Sequence, residues 1–210
     1  MWLQIIIGVP LALVVISGIM RVAKRFFRIP APAYVGRFLD SSLREWLQPP
    51  DRVVERSGVS AGLRVLEIGC GSGAQTTEAA KRVAPGGSVV ALDVQEGMLR
   101  QLGRKLSGAG APGVRPLAAD ACALPFRAGS FDLVFVVAAL QEIPDRHGAL
   151  GEVRRVLRPG GRLAVTEFLP DPDYALPSTT AKLVEGAGMT QEATEGNLWD
   201  YTMRFRRGEA

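Results

Sequence analysis

Arg64-Val65-Leu66-Glu67-Ile68-Gly69-Cys70-Gly71-Ser72-Gly73-Ala74 is a short apolar run that meets three glycines at alternate positions. A helical pattern follows, from Gln75 to about Val83. The order predicts a strand, a tight turn and a helix. Glycine lets the backbone turn sharply and lets a ligand approach without meeting a Cβ. The first turn of the new helix points its free N–H groups at whatever sits in the turn. The stretch therefore predicts a nucleotide-type cofactor site.

The glycine pattern alone is weakly specific. Gly69-x-Gly71-x-x-Ala74, with an acid about 20 residues on at Asp93, also meets the dinucleotide fingerprint. A nicotinamide site, an S-adenosylmethionine (SAM) site and a glycine turn with no ligand all remain open at this point. Asp93 falls where a second strand is expected to end.

C-terminal to the loop, the alternation is regular. Pro85-Gly86-Gly87 is a turn, and Ser88 to Val94 is strand-like. Glu96 to Leu106 is helical, Gly108 to Gly113 a loop, and Val114 to Ala118 a short strand ending before Asp120-Ala121. Leu124-Pro125-Phe126 is a loop packing element. Phe131 to Val137 is almost continuously apolar, as expected of a strand covered on both faces. Arg146 to Leu157 predicts a helix closed by Arg158-Pro159-Gly160-Gly161, and Arg162 to Phe168 a fifth strand. Strands alternating with helices argue for a parallel α/β sheet with right-handed crossovers. The tail departs from this rhythm. Ser178 to Gly186 predicts a helix, and Met189 to Glu195 and Leu198 to Arg206 flank Gly196-Asn197, a hairpin turn signal. The fold class expected is α/β: a Rossmann-like, doubly wound, mostly parallel seven-stranded sheet with an antiparallel C-terminal hairpin.

N-terminal to the loop, residues 33–62 are expected to form a helical cap. Ala33 to Gln48 has apolar residues near helical spacing, Pro49-Pro50 stops it, and Asp51 to Ser57 is a second short helix. These helices are expected to cover one edge of the cofactor site, with Tyr34 a candidate for the substrate mouth and Phe38 for packing. Residues 1–20 carry no charge and are mostly Ile, Leu, Val and Ala, and roughly 20 such apolar residues span a bilayer as a helix. The rival readings are a buried core helix and a cleaved signal peptide, against which stands the lack of a basic residue before the run and of a small-x-small site at its end. Arg21, Lys24, Arg25 and Arg28 follow, in a basic linker over residues 21–32. The positive-inside rule then predicts a single-pass anchor with its N-terminus outside and residues 63–210 on the cytoplasmic side. The linker carries Phe26 and Phe27 among its cations, a composition suited to an anionic membrane surface.

The 210 residues suffice for one domain and an appendage. A net charge of +4 is too small to imply nucleic acid, and no nucleic-acid partner is expected. Cys70 and Cys122 have no metal-ligand spacing, and the single histidine, His147, removes most histidine-based catalytic schemes and any His-rich metal site.

Five segments, taken together, resemble the class I SAM-dependent methyltransferases, within them the group similar to the menaquinone and ubiquinone C-methyltransferases. They are Val65 to Gly73, Ala91 to Leu99, Asp120-Ala121-x-x-Leu124-Pro125-Phe126, Ser130 to Val134, and Val156 to Gly161. The resemblance covers about Leu63 to Arg206. It implies SAM as cofactor and S-adenosylhomocysteine as product. By that resemblance the loop of Gly69, Gly71 and Gly73 passes under the methionine part, with Glu67 near it. Asp93 takes the ribose hydroxyls, Val94 and Met98 pack on the adenine, Asp120 and the Ala121 N–H meet its amino edge, and Val137 faces the cofactor. Asp132 and Arg158-Pro159-Gly160-Gly161 read as structural.

Methyl transfer from a sulfonium needs alignment and desolvation above all, because the electrophile comes with the cofactor. The family often has a histidine where this chain has Gln141, which puts a histidine-based step in doubt. Glu142, Asp145, Tyr34 and Tyr174 are the other titratable groups nearby, and no catalytic residue is assigned. The uncharged N-terminal stretch points to a small acceptor that partitions into membrane: a quinone precursor, a lipid headgroup or a hydrophobic small molecule. An oligomer through the anchor is left open. The alternatives are an NAD(P)-dependent oxidoreductase, against which stands the lack of a Tyr-x-x-x-Lys pair, and a non-catalytic SAM-binding scaffold.

Overall fold

The computed structural model describes residues 42–109 and 113–209. The expected membrane span, the basic linker, and Tyr34 and Phe38 of the cap lie outside the described residues. Among the described residues, no helix is long and apolar enough to cross a membrane.

Two short helices, α1 (Ser42–Leu47) and α2 (Pro50–Arg56), lead into β1 (Arg64–Ile68). Then come α3 (Ala74–Val83), β2 (Ser88–Asp93), α4 (Glu96–Ala109), β3 (Val114–Ala118) and β4 (Phe131–Val137). A 3-10 turn over Leu140–Glu142 precedes α5 (Arg146–Val156) and β5 (Leu157–Phe168). The chain closes with α6 (Pro177–Gly186), β6 (Met189–Gly196) and β7 (Asp200–Arg207). The strands form one sheet in the order β3-β2-β1-β4-β5-β7-β6. β1 to β5 pair in parallel, whereas β7 pairs antiparallel with both β5 and β6. The seven-stranded α/β sheet with a reversed hairpin is thus as expected. The strand order reverses between β1 and β4, and in open α/β sheets ligands bind in the crevice beyond the strand ends at such a point.

Apolar residues on both sides of each central strand explain the two-layer cover. Val65, Leu133, Phe135 and Ala164 face α2 and α3, packing on Val54 and Val83. Leu66, Val134, Leu163 and Val165 face the opposite way, onto Leu150 of α5 and Val184 of α6. The Phe126 and Phe131 rings meet edge to face at 4.9 Å, as befits a packing loop. Asp132, at the far end of the sheet from the glycine loop, accepts from Arg64 (3.1 Å) and Arg158 (2.8 Å). Its role is structural. These guanidiniums hold its carboxyl down at about 2, against the opposing effect of burial.

Three details differ from the sequence-based expectation. β5 begins at Leu157, because Arg158 to Gly161 bulge out of the strand pairing instead of ending it: Phe131 pairs with Leu157, and Leu133 next with Arg162. The hairpin turn is longer than Gly196-Asn197. Gly196 pairs with Tyr201, and the Asn197 side chain accepts from the Trp199 and Asp200 N–H groups, closing a loop over Asn197 to Asp200. Finally, α2 lies on the face of the sheet and not over the glycine loop. Its Val53 and Val54 are fully buried, and the Asp51 backbone carbonyl accepts from the Arg82 guanidinium in the last turn of α3, the end remote from the loop.

Asp200 fastens this cap to the sheet. Its carboxylate accepts from Gln48 Nε2 (2.8 Å) and from Arg56 Nη1 (2.6 Å), with the Asp200 side chain one-tenth exposed. Asp200→Ala removes the acceptor and leaves a half-buried cation, which costs about 3 kcal/mol by analogy with broken buried pairs. The expected fall in Tm is roughly 6–12 °C for a domain of this size, measured by thermal unfolding.

Both sheet edges are irregular. β3 contains Pro116, which has no N–H to offer, and β6 is bulged between Gln191 and Ala193. Glu192, in that bulge, pairs with Arg162 at 3.0 Å and with Arg206.

Candidate active site

The glycine loop begins where β1 ends. Gly69 and Cys70 both donate to the Leu92 carbonyl, at 2.8 and 3.0 Å, which ties the loop to β2. Gly69, Gly71 and Gly73 all take positive φ (73°, 53° and 89°), which costs any residue with a Cβ. A Cβ on Gly69 would lie 2.5 Å from the Ala139 Cβ, whereas one on Gly71 would point into open space. Close approach of the backbone is therefore needed on the Gly69 side, and room for a ligand remains over Gly71. Gly73 caps α3 without a side chain, so the helix start is open to an outside acceptor.

Asp93 ends β2, as expected. Its Oδ2 accepts from the Gly71 N–H (2.9 Å) and its Oδ1 from the Gln95 N–H (2.8 Å), so this carboxylate also builds the loop. Each oxygen keeps lone-pair capacity for a further donor. Val94, next in the chain, is 74% exposed and offers a flat apolar surface; Met98 is 4% exposed and lies in the layer beneath. Asp120 sits beyond β3, beside Asp93 across the strand pair, where the Ala119 N–H reaches the Asp93 carbonyl. Asp120 is exposed and accepts the Cys122 N–H at 2.8 Å; Ala121 is buried against the core. Val137 closes β4 and is half-buried.

Glu67 lies under the loop, fully buried on the α3 side of the sheet. Thr76 Oγ1 donates to its Oε2 at 2.5 Å. Burial is the main cause that pushes this carboxyl up to about 8; Thr76 opposes the shift and the nearby Asp93 charge adds to it. A cation placed beside Glu67 would reverse that cost. These donors and carboxylates suit a cationic, ribose-bearing cofactor, and the open space over Gly71 gives it room.

The other wall comes from the end of β4. Ala138 has φ of +50°, a conformation that non-glycine residues adopt at a cost and that recurs at functional sites. Its N–H is held by the Thr166 carbonyl (2.9 Å), and Ala139 beyond it packs on Gly69. Gln141 then bridges two charged groups. Its Nε2 donates to Glu167 Oε1 (3.5 Å), and its Oε1 accepts from Arg146 Nη1 (3.4 Å). Glu167 is 1% exposed and was not among the residues singled out from the sequence. The signal was present: a carboxylate near the end of the apolar strand Leu163-Ala164-Val165-Thr166-Glu167-Phe168. Of the nearby acids that were singled out, Asp145 caps α5 by accepting the Gly148 N–H (2.9 Å), and Glu142 is exposed. His147 is exposed on α5, outside this cluster.

Compared with known families, the amino-acid sequence around this site is similar to a methyltransferase domain. Residues 66–165 match that family model. A ubiquinone/menaquinone biosynthesis C-methyltransferase of Hahella chejuensis is 43% identical over 117 residues, which are 55% of this chain and 47% of that protein. A demethylmenaquinone methyltransferase of Lactococcus lactis is 38% identical over 116 residues, 55% of this chain and 46% of that one. The chain thus spans about half the length of the curated relatives it matches. Among solved structures, a SAM-dependent methyltransferase from Aquifex aeolicus superposes with a TM-score of 0.79, at 23% identity, over 85% of this chain and 100% of that one. Residues 66–165 are thus similar to a methyltransferase domain, and the chain has the fold of that SAM-dependent methyltransferase. A [4+2]-cyclase has the same fold, with a TM-score of 0.68 at 18% identity over 78% of this chain and 81% of that one, so the reaction must be argued from the site and not from the fold.

Proposed function

We propose that this chain transfers a methyl group from SAM to a small lipophilic acceptor, a quinone precursor being the class its relatives favour. The observation that carries the reading is the Asp93 carboxylate holding the Gly71 N–H at the sheet's topological switch point, above buried Glu67. In the proposed site Asp93 accepts the ribose hydroxyls and Glu67 faces the cationic methionine part. Val94 supports the adenine, with Met98 behind it, Asp120 and Ala121 meet the adenine edge, and Val137 borders the methyl group. When bound, SAM supplies the electrophilic methyl. The protein's own work is to hold the acceptor in line with it and to keep water out. The uncharged residues 1–20 and the cations after them support placing the enzyme at a membrane, where such an acceptor concentrates. We take 63–210 as the catalytic unit and 33–62 as its cap.

The test exploits Glu67. A cation bound beside this carboxyl favours its ionised form, so binding must expel the proton that Glu67 holds below about 8. Calorimetric titration with S-adenosylhomocysteine, whose ammonium group supplies the charge, is expected to release close to one proton per site near neutral pH and almost none about two pH units higher. Repeating the titration in buffers of different ionisation enthalpy measures the release. Glu67→Gln should abolish it. Saturable binding of NAD in place of S-adenosylhomocysteine would reject the reading.

A further inference from the structure

We propose, on the basis of the methyltransferase reading above, that Glu167 is the catalytic base, taking a hydroxyl proton from a phenolic acceptor, with Gln141 orienting that hydroxyl.

The sheet register places Glu167 at the right height. Ile68 pairs with Val136, and Val137 pairs with Thr166. Gly69, the first residue beyond β1, and Thr166, still within β5, therefore lie level with Val137 on the two sides of β4, and Glu167 stands one residue further along β5. A continuous set of contacts joins the loop to this carboxylate: Gly69 packs on Ala139, and Gln141, two residues on, reaches Glu167. Gln141 is pinned at both ends of its amide, by Glu167 and by Arg146. One N–H of its amide is left to meet the acceptor oxygen.

The surroundings suit a base and do not resemble a structural ion pair. Among the described residues, no cation lies directly on Glu167. The groups that face it are Asp171 and Asp173 in the loop after β5, Tyr201 on β7, Gln141, and the Ala175 N–H. Tyr201 is already occupied, with its hydroxyl on the Ala175 carbonyl (2.7 Å) and Thr180 Oγ1 (2.9 Å). Arg146 touches Gln141 and not Glu167. Burial, with Asp171 adding to it, pushes the carboxyl up to about 8, so the ionised form is a far stronger base than an ordinary glutamate and is populated at mildly alkaline pH.

The hydroxyl ortho to the reacting ring carbon gives its proton to Glu167 as that carbon bonds to the methyl group. The S–CH3 bond breaks with its electron pair on sulfur. The ring carbon then loses its own hydrogen to water as a proton, and the oxygen takes back the proton held on Glu167. One proton is released per methyl transferred, and Glu167 ends ionised.

The experiment uses the full chain in detergent, labelled SAM and a prenylated 1,4-naphthohydroquinone, with an S-adenosylhomocysteine titration of every variant. Wild-type turnover is expected to rise with pH toward a plateau above about 8, the ionisation of Glu167. Glu167→Gln is expected to lower turnover by roughly 10²–10⁴-fold and to remove that rise, with S-adenosylhomocysteine affinity unchanged. Infrared difference spectra of the complex between mildly acidic and alkaline pH should show a protonated carboxyl band that Glu167→Gln lacks. Gln141→Ala should raise KM more than it lowers kcat. A Glu167→Gln enzyme as fast as wild type overturns the assignment, and so does one that no longer binds S-adenosylhomocysteine, because Glu167 would then be structural. If the wild-type chain leaves the naphthohydroquinone unmethylated, the phenolic acceptor and this assignment fall together. Retained S-adenosylhomocysteine binding in that case leaves the cofactor reading standing.

Discussion

Asp93→Ala is expected to weaken S-adenosylhomocysteine binding by roughly 10²–10⁴-fold. In the proposed site the carboxylate accepts two ribose hydroxyls, and hydrogen bonds to a charged group are worth about 1.5–3 kcal/mol each. Their sum, at about 1.4 kcal/mol per factor of ten, gives that range. The loop suffers as well, because the Gly71 and Gln95 N–H groups lose their acceptor. Asp93→Asn separates the two effects. One amide oxygen can still hold the Gly71 N–H, so the glycine loop keeps its tie while the Gln95 N–H and one ribose hydroxyl lose their acceptor, and a smaller deficit is expected. Calorimetric titration of both variants measures this. An Asp93→Ala protein that binds as tightly as wild type would remove Asp93 from the cofactor site.

Gly69→Ala is expected to abolish cofactor binding, whereas Gly62→Ala leaves it unchanged. Both glycines have similar positive φ, 73° and 82°, so both substitutions strain the backbone by about 1–2 kcal/mol. They differ in what the new methyl meets. At Gly62 there is nothing within 4 Å; at Gly69 the Ala139 Cβ is 2.5 Å away. Relief requires the loop and the end of β4 to move apart. That movement displaces Ala138, already in the left-handed region, and breaks the level between the loop and Gln141. Chemical denaturation should therefore show similar backbone costs with an added clash at Gly69, while titration with S-adenosylhomocysteine should show loss at Gly69 alone. Equal binding by the two variants would mean that the loop yields freely and that its packing on β4 has no part in the site.

Why the glycine loop was legible while Glu167 was not follows from where each signal resides. Alternate glycines after an apolar run, and an acid ending the next strand, are local patterns, and the structure places Gly69, Gly71, Gly73 and Asp93 together as that spacing implies. Strand bounds were legible where periodicity ended abruptly, as at Phe131 and Val137. Glu167 depends on a register set by pairing with a strand some 30 residues earlier, and on burial by a helix and hairpin that follow it. No local pattern encodes that. The bulge at Arg158 to Gly161 eluded the sequence for a related reason. Pro-Gly-Gly is a strong stop signal, but β4 pairs with Leu157 before the bulge and both β4 and β7 pair with the chain from Arg162 onward, and tertiary contacts outweighed the local preference. The position of α2 was likewise set by Asp200, 144 residues from Arg56 in the chain.

The two borders of the sheet bear on how this protein behaves in a crowded cell. An open sheet presents rows of unpaired peptide groups that can recruit a neighbouring chain. Here one border carries a proline and the other a kinked segment with a buckled acid held by two arginines. Neither offers a straight ladder for an incoming strand. Self-association by strand addition is thereby discouraged, and a concentrated population of these molecules keeps its strands to itself.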